Sequence, residues 1–427
     1  MPGAIRLSTG VPLVIARTPM RSSMLAVVLL PALVLVVGAT TSASAQYADD
    51  FPDPQRFTLR NGLEVVLDPV PARREVTVLV SYHVGTRDQP RGWTGLAHLT
   101  EHLMFEGSLH APGGYIETLE RAGSIDRNAT TSVDRTEYFQ TVPSSGLETV
   151  LFLESDRMAY LLSTLDQRGL EEQRRVVERE RIERQTLSER GLLPAFIARA
   201  LYPIAHPYRD VIEVPGDLAA ISLPHVQWFV QSWYQPANAT LVISGGFDPA
   251  LARALVERWF GSLRPASALP ARATAARVRL DDELRMVIAA DTTTDQLRVV
   301  WPTPAYGAPG DAELDVIAHV LTERLQLTLV EQGLALAAWA RQSSHQLCSE
   351  FTAGALVPHE RGTAEALAAI DAELARLEQG VDPALVRRVQ EVWLDRLVAQ
   401  MEHPAARAGM LALRMYDGAP YTVAREA

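Results

Sequence analysis

Two hydrophobic periods alternate along the chain from residue 57 onward, one of two residues and one of nearly four. In Phe57–Val70, apolar runs flank Asn61-Gly62, which predicts two short strands joined by a tight turn. Glu75–Thr86 carries Val76, Val78, Val80, Tyr82 and Val84 at every second position, the pattern of a half-buried strand. A helix is expected within Trp93–Ser108, opened by Thr94 as cap and stopped by Gly107, and another over Gly113–Gly123. The β-branched and aromatic run Arg135–Pro143 reads as a strand. Helices follow around Ser144–Leu162 and Asp166–Glu189, then a strand over Asn238–Asp248 and a helix near Pro249–Phe260.

Ser262–Leu280 breaks this order. It holds Pro265 and Pro270 among alanines and no periodicity, so it reads as a linker. Beyond it the alternation restarts with strands at Gln296–Trp301, Leu334–Ala340 and Phe351–Val357, and helices at Ala312–Gln326, Ala364–Glu378 and Pro383–Met401. The fold class expected is α+β, in two similar halves, each a mixed sheet covered by helices. The expected division is residues 50–262, a linker over 263–280, and residues 281–427.

Upstream of residue 46 the pattern changes. Arg6, Arg17 and Arg21 precede the apolar run Met24–Gly38, and Ala43-Ser44-Ala45 closes the segment. A basic region, a short apolar core and an A-x-A site predict a signal peptide over residues 1–45, with Met20 an alternative start. The run is too short to span a bilayer and contains Pro31, so no stable membrane span is expected after cleavage. The protein is therefore expected to be exported, to a periplasm or the exterior. Losing three arginines takes the net charge from −11 to −14, which argues against nucleic acid as a partner. Cys348 is the sole cysteine, so no internal disulfide can brace the exported chain.

The candidate chemistry lies in "GLAHLTEHLMFEGS". His98 and His102 are four apart and share one helix face, so two imidazoles can meet one ion, and neutral imidazole suits zinc. Glu101 lies beside them and can accept a proton from a metal-activated water. The ordering His-x-x-Glu-His inverts the His-Glu-x-x-His helix. Ten histidines in one chain can produce such spacing by chance, but this helix is apolar nearly all round and must be buried. Burying three ionisable groups together is costly without a metal to join them. A third ligand is sought in "EEQRRVVERERIERQ", a charged helix on which Glu180 lies toward the apolar stripe and Glu183 is also allowed by periodicity.

These motifs, with "DRTEYFQTVP" and "YQPANATLVISGGFD", resemble the insulinase–pitrilysin family of zinc peptidases over about Phe57 to Asp417. The resemblance implies a clamshell of two halves and one zinc ion per chain, held by His98, His102 and Glu180, the last 78 residues past His102. It implies Glu101 as general base. It also implies that "NATTSVDRTEYF" is a substrate-binding edge strand to which a peptide adds as a further strand, with Asn128, Ala129 and Tyr138 the candidate contacts. His83, His206 and His225 lack metal spacing and are expected to be structural.

The second half departs from the family's pattern. "LTERL" echoes "LTEHL", but Val320 and Arg324 stand where ligands would be. Val330 and Leu336 occupy positions at which many members carry an arginine and a tyrosine that contact substrate. The resemblance further implies another helix and a closing strand past Ala427, so this half is expected to be incomplete. The function expected is zinc-dependent endoproteolysis of unfolded peptides. The alternative is a non-catalytic or partner-dependent subunit, with a second family subunit or a second copy of the chain as partner. A small-molecule hydrolase is the third reading and has no use for an edge strand.

Overall fold

In the computed structural model, which describes residues 13–16, 54–112, 114–183, 193–211, 213–264, 268–272, 274, 278–280, 282–288 and 293–416, Asn61-Gly62 turns the chain as its pattern requires. Strand β1 (Leu13–Ala16) belongs to the second of two sheets; β2 (Gln55–Thr58) and β3 (Glu64–Pro69) open the first. Gly62 sits at φ 90°, and a Cβ there would meet the Ala237 Cβ at 2.7 Å, so both the turn and its close neighbour demand glycine.

The chain forms two compact units. The first sheet also contains β4 (Glu75–Tyr82), β5 (Asp126–Thr131), β6 (Thr136–Pro143) and β7 (Ala239–Gly245), in the order β2-β3-β7-β4-β6-β5. β3 and β7 run parallel and the other pairs antiparallel, leaving β5 at one edge. Helices α1 (Leu96–Leu103), α2 (Tyr115–Arg121), α3 (Leu147–Tyr160) and α4 (Gln167–Ile182) belong to this unit. Val76, Val78, Val80 and Tyr82 on β4 pack into a single core with Leu99 and Leu103 of α1 and Val150 and Leu151 of α3.

The expectation of a half-buried β4 needs correction, because both of its faces are covered. On the far face Leu79, Val66 and Val242 pack against Ala408, Leu411 and Ala412. Those residues lie on a C-terminal helix (Pro404–Tyr416) that the expected boundary assigns to the other half. Arg407 of this helix reaches the fully buried Asp68 of β3 with two hydrogen bonds, 2.5 and 2.6 Å, and Ser244 donates a third at 2.6 Å. Apolar contact and this two-pronged ion pair together hold the helix there.

Four helices intervene in the chain: α5 (Leu193–Leu201), α6 (Pro215–Ala220), α7 (Leu223–Trp233) and α8 (Pro249–Phe260). α5 joins the second unit, and α6 to α8 the first. The second sheet takes β8 (Leu284–Val287), β9 (Thr294–Thr303), β10 (Ala337–Ser343) and β11 (Ser349–Pro358), in the order β10-β11-β9-β1-β8. Helices α9 (Asp311–Leu325) and α10 (Ala364–Glu378) cover it through Ile317, Leu321, Ile370 and Leu377. After α11 (Pro383–Met401), the helix carrying Arg407 is α12. The α+β class and the two similar halves are as expected.

β1 pairs parallel with β9 and antiparallel with β8. In the first sheet the corresponding place, between β3 and β4, is held by β7 with the opposite polarity, parallel to β3 and antiparallel to β4. β1 lies inside the stretch expected to be a signal peptide, whose apolar core Met24–Gly38 and A-x-A site fall outside the described residues. Parts of the expected linker, residues 265–267, 273 and 275–277, also fall outside them.

Candidate metal centre

Helix α1 begins at Gly95, whose φ of 93° only glycine takes without strain. Thr94 is not its cap. The Gln89 side chain instead accepts from the Ala97 N–H at 2.8 Å, satisfying one of the helix's free donors. The Thr94 hydroxyl accepts from the Val214 N–H at 2.8 Å and donates to Asp217 at 2.9 Å. Its job is to fasten the segment before α6 to the start of α1.

Leu96, Leu99 and Leu103 drive one face of α1 into the core, which turns His98 and His102 together on another. The two Nε2 atoms stand 3.2 Å apart. Glu180 approaches from α4, where Leu170 and Val177 are buried and Glu180 follows Val177 by three residues on the same side. One of its carboxylate oxygens lies 3.5 Å from His98 Nε2 and the other 3.5 Å from His102 Nε2. Glu183 is exposed at the end of the helix and lies outside this group.

These separations can be tested against zinc. Two ligand atoms about 2.05 Å from a common ion at the tetrahedral angle stand roughly 3.3 Å apart. The 3.2 Å between the imidazoles, and 3.5 Å from each to a different oxygen of Glu180, lie near that spacing, and the three donor atoms all fall within 4.8 Å of one another, so the donor set suits zinc. Among the described residues it is the sole group of three or more His, Cys, Asp or Glu side chains close enough to hold an ion. Burial, and then the neighbouring His98, hold His102 below the usual histidine range, so its ring is neutral near pH 7 and offers a lone pair.

Two partners escape sequence reasoning. Glu213 places a carboxylate oxygen 2.6 Å from His98 Nδ1, the nitrogen facing away from the ligand cluster. Thr131, the last residue of β5, donates to the Glu101 carboxylate at 2.5 Å. Nothing in the spacing of "DVIEVPGDL" links Glu213 to a histidine 115 positions earlier. Thr131 lay within the segment already singled out, unmarked as an individual residue.

Asn128 and Ala129 lie on edge strand β5, opposite Phe139 and Tyr138 of β6. The Asn128 side chain is exposed and accepts from the Ala129 N–H at 2.9 Å. Tyr138 needs correction as a substrate contact. Its ring is fully buried, with the Arg157 guanidinium 4.2 Å above it, and it serves the core under the site. The expected structural histidines do pack internally: His83 bonds the Thr240 hydroxyl at 3.0 Å, His206 stacks on Tyr202 and His225 on Trp93. In the second unit Val330 packs against the core and Leu336 is exposed.

Comparison with known proteins finds two matching family models. Residues 64–207 match the family model described as insulinase (peptidase family M16), and residues 220–392 match the one described as peptidase M16 inactive domain. Over 232 residues, 54% of this chain and 51% of the relative, the sequence is 31% identical to zinc protease PqqE of Helicobacter pylori. The chain spans about half the length of the curated relatives it matches. Among solved structures, a protease from Helicobacter pylori superposes with a TM-score of 0.77 at 25% identity, over 86% of this chain and 90% of that one. The periplasmic protease PqqL from Escherichia coli gives 0.71 at 20% identity, over 88% of this chain and 43% of that one, a likeness of fold.

Proposed function

Since the chain belongs to the insulinase (M16) family of peptidases, we propose that it is a zinc-dependent endopeptidase acting on unfolded peptides. The observation that carries this reading is the convergence of His98, His102 and Glu180 at zinc spacing, with Glu101 on the same helix. Zinc held by these three would supply Lewis acidity toward water and the scissile carbonyl. Glu101 accepts the proton that the attacking water releases and returns it to the departing amine nitrogen. Thr131 steadies the Glu101 carboxylate by donating to one of its oxygens.

The substrate class follows from β5. Ser132 N–H donates to Arg135 C=O, which fixes the alternation of the β5–β6 ladder. By that alternation Arg127, Ala129 and Thr131 turn their backbone groups away from β6, toward the open edge. A peptide laid along this edge pairs through its backbone, so binding is tolerant of side chains. Because Thr131 ends the strand and bonds Glu101, a docked peptide is led to the base. Asn128 and Ala129 take part as edge positions.

A second reading is favoured by the second unit. Val330 and Leu336 cannot act as the arginine and tyrosine expected there, so a second family subunit that carries them would supply the missing substrate contacts. Export to the periplasm fits the signal-like N-terminus and the periplasmic relative PqqL. No helix among the described residues is long and apolar enough to cross a membrane.

The deciding experiment is cleavage of a quenched-fluorescent unstructured peptide by the protein and by Glu101→Gln. Turnover confined to the unsubstituted protein supports an enzyme competent alone. No turnover from either, with zinc bound, overturns it and favours the partner-dependent subunit.

A further inference from the structure

We infer that Glu213 is a positioning residue, one that holds His98 in the tautomer whose Nε2 lone pair faces His102 and Glu180. The inference rests on the metal-site reading above and adds a residue to it. A carboxylate can only accept a hydrogen bond, so the 2.6 Å contact at Nδ1 puts the ring proton on Nδ1 and leaves Nε2 bare. The bare nitrogen is the one that stands 3.2 Å from His102 Nε2 and 3.5 Å from Glu180.

The surroundings of Glu213 are built for this contact. The segment that carries it is fastened to Thr94 by the Val214 N–H and by Asp217, and Leu218 anchors it in the core. Gly95 supplies the space. A Cβ on that residue would stand 3.2 Å from Glu213 Cγ and 3.3 Å from Leu218 Cδ1, tighter than ordinary contact. Its φ of 93° points the same way, since both conformation and clearance at the start of α1 require glycine. The Glu213 and His98 side chains are only 15% and 11% exposed, so water competes weakly for the bond. A partner that orients a metal-binding histidine is commonly worth 10- to 100-fold in metal affinity.

The test is zinc affinity, read by competition with a chromophoric chelator, for the unsubstituted protein, Glu213→Ala and Glu213→Gln. Glu213→Ala should bind zinc about 10- to 100-fold more weakly. Glu213→Gln, which keeps an acceptor without the charge, should fall between. Unchanged affinity in a folded Glu213→Ala protein overturns the inference. No zinc binding by the unsubstituted protein would instead defeat the metal-site reading itself. Should Glu213→Ala fail to fold, long-range proton–nitrogen spectra of the metal-free unsubstituted protein decide the matter. A proton on His98 Nδ1 is the expected result, and a proton on Nε2 overturns the assignment.

Discussion

Thr131 and Glu101 are joined by a 2.5 Å hydrogen bond that ties the end of an edge strand to the helix bearing both histidines. A hydrogen bond to a charged group contributes about 1.5–3 kcal/mol, so its loss at the base should cost kcat roughly ten- to a hundredfold. Thr131→Val keeps the shape and removes the donor. Steady-state kinetics on a peptide should show the fall in kcat with zinc content unchanged. A Thr131→Val enzyme with full kcat would leave the contact without a catalytic part.

Glu180 and Glu183 are neighbours in sequence with different surroundings. Glu180 offers an oxygen to each histidine, while Glu183 is exposed outside the cluster. Glu180→Gln should weaken zinc retention by more than about a hundredfold, beyond the usual cost of an outer partner. Glu183→Gln should leave it unchanged. Equal losses on dialysis against a chelator would remove Glu180 from the ligand set.

The helix with His98, Glu101 and His102 was legible because ligand spacing and helical period coincide within eight residues. Helices Pro249–Phe260, Ala364–Glu378 and Pro383–Met401 have the bounds that their patterns predicted. Glu180 and Glu183 could not be separated by periodicity, since the choice depends on how α4 lies against α1. Glu213 was invisible for a related reason: its role exists only once Thr94 has fastened its segment beside Gly95. α12 is not among the expected helices, and the expected boundary puts its residues in the other half, because an amphipathic stretch does not declare which sheet receives its apolar face. Tyr138 was misjudged because the resemblance marks a whole segment as substrate-binding and does not say which of its side chains turn into the core.

Asp68 is fully buried and its charge is met by Arg407, 339 positions away. Removing one member of a buried ion pair typically costs 3–5 kcal/mol, because the other charge is stranded. Arg407→Met should therefore destabilise the first unit by about that much in urea unfolding. Adding Asp68→Asn should recover part of the loss. A single substitution costing under about 1 kcal/mol would mean that α12 leaves the sheet readily.

His83 gives the protein a pH dependence of its own. Burial first, then the charges of Arg272 and Arg135, lower its pKa to about 3. In the unfolded chain the ring titrates near 6.5, so the unfolded state takes up a proton that the folded state refuses. Stability from this residue is complete above pH 6.5 and is lost as pH falls from there toward 3. Each pH unit across that window costs up to about 1.4 kcal/mol. His83→Gln should flatten the fall in melting temperature between pH 6.5 and 5, where most carboxylates are still ionised. Parallel curves for the two proteins would assign the acid sensitivity elsewhere.

Ala129 offers the sharpest separation of peptide from small-molecule chemistry. Its backbone faces the open edge of the first sheet, and its N–H is met by the Asn128 side chain, which an incoming strand would displace. Proline at position 129 removes that donor while sparing the bonds between β5 and β6. Peptide cleavage by Ala129→Pro should lose at least about tenfold in kcat/KM, the worth of one or two backbone hydrogen bonds and the strand they align. Zinc affinity should not change. Thr130→Pro, one position along, removes a bond of the ladder itself and should lower the melting temperature instead. If Ala129→Pro cleaves peptides as fast as the unsubstituted protein, substrate does not bind as an added strand at β5, and the small-molecule reading regains its force.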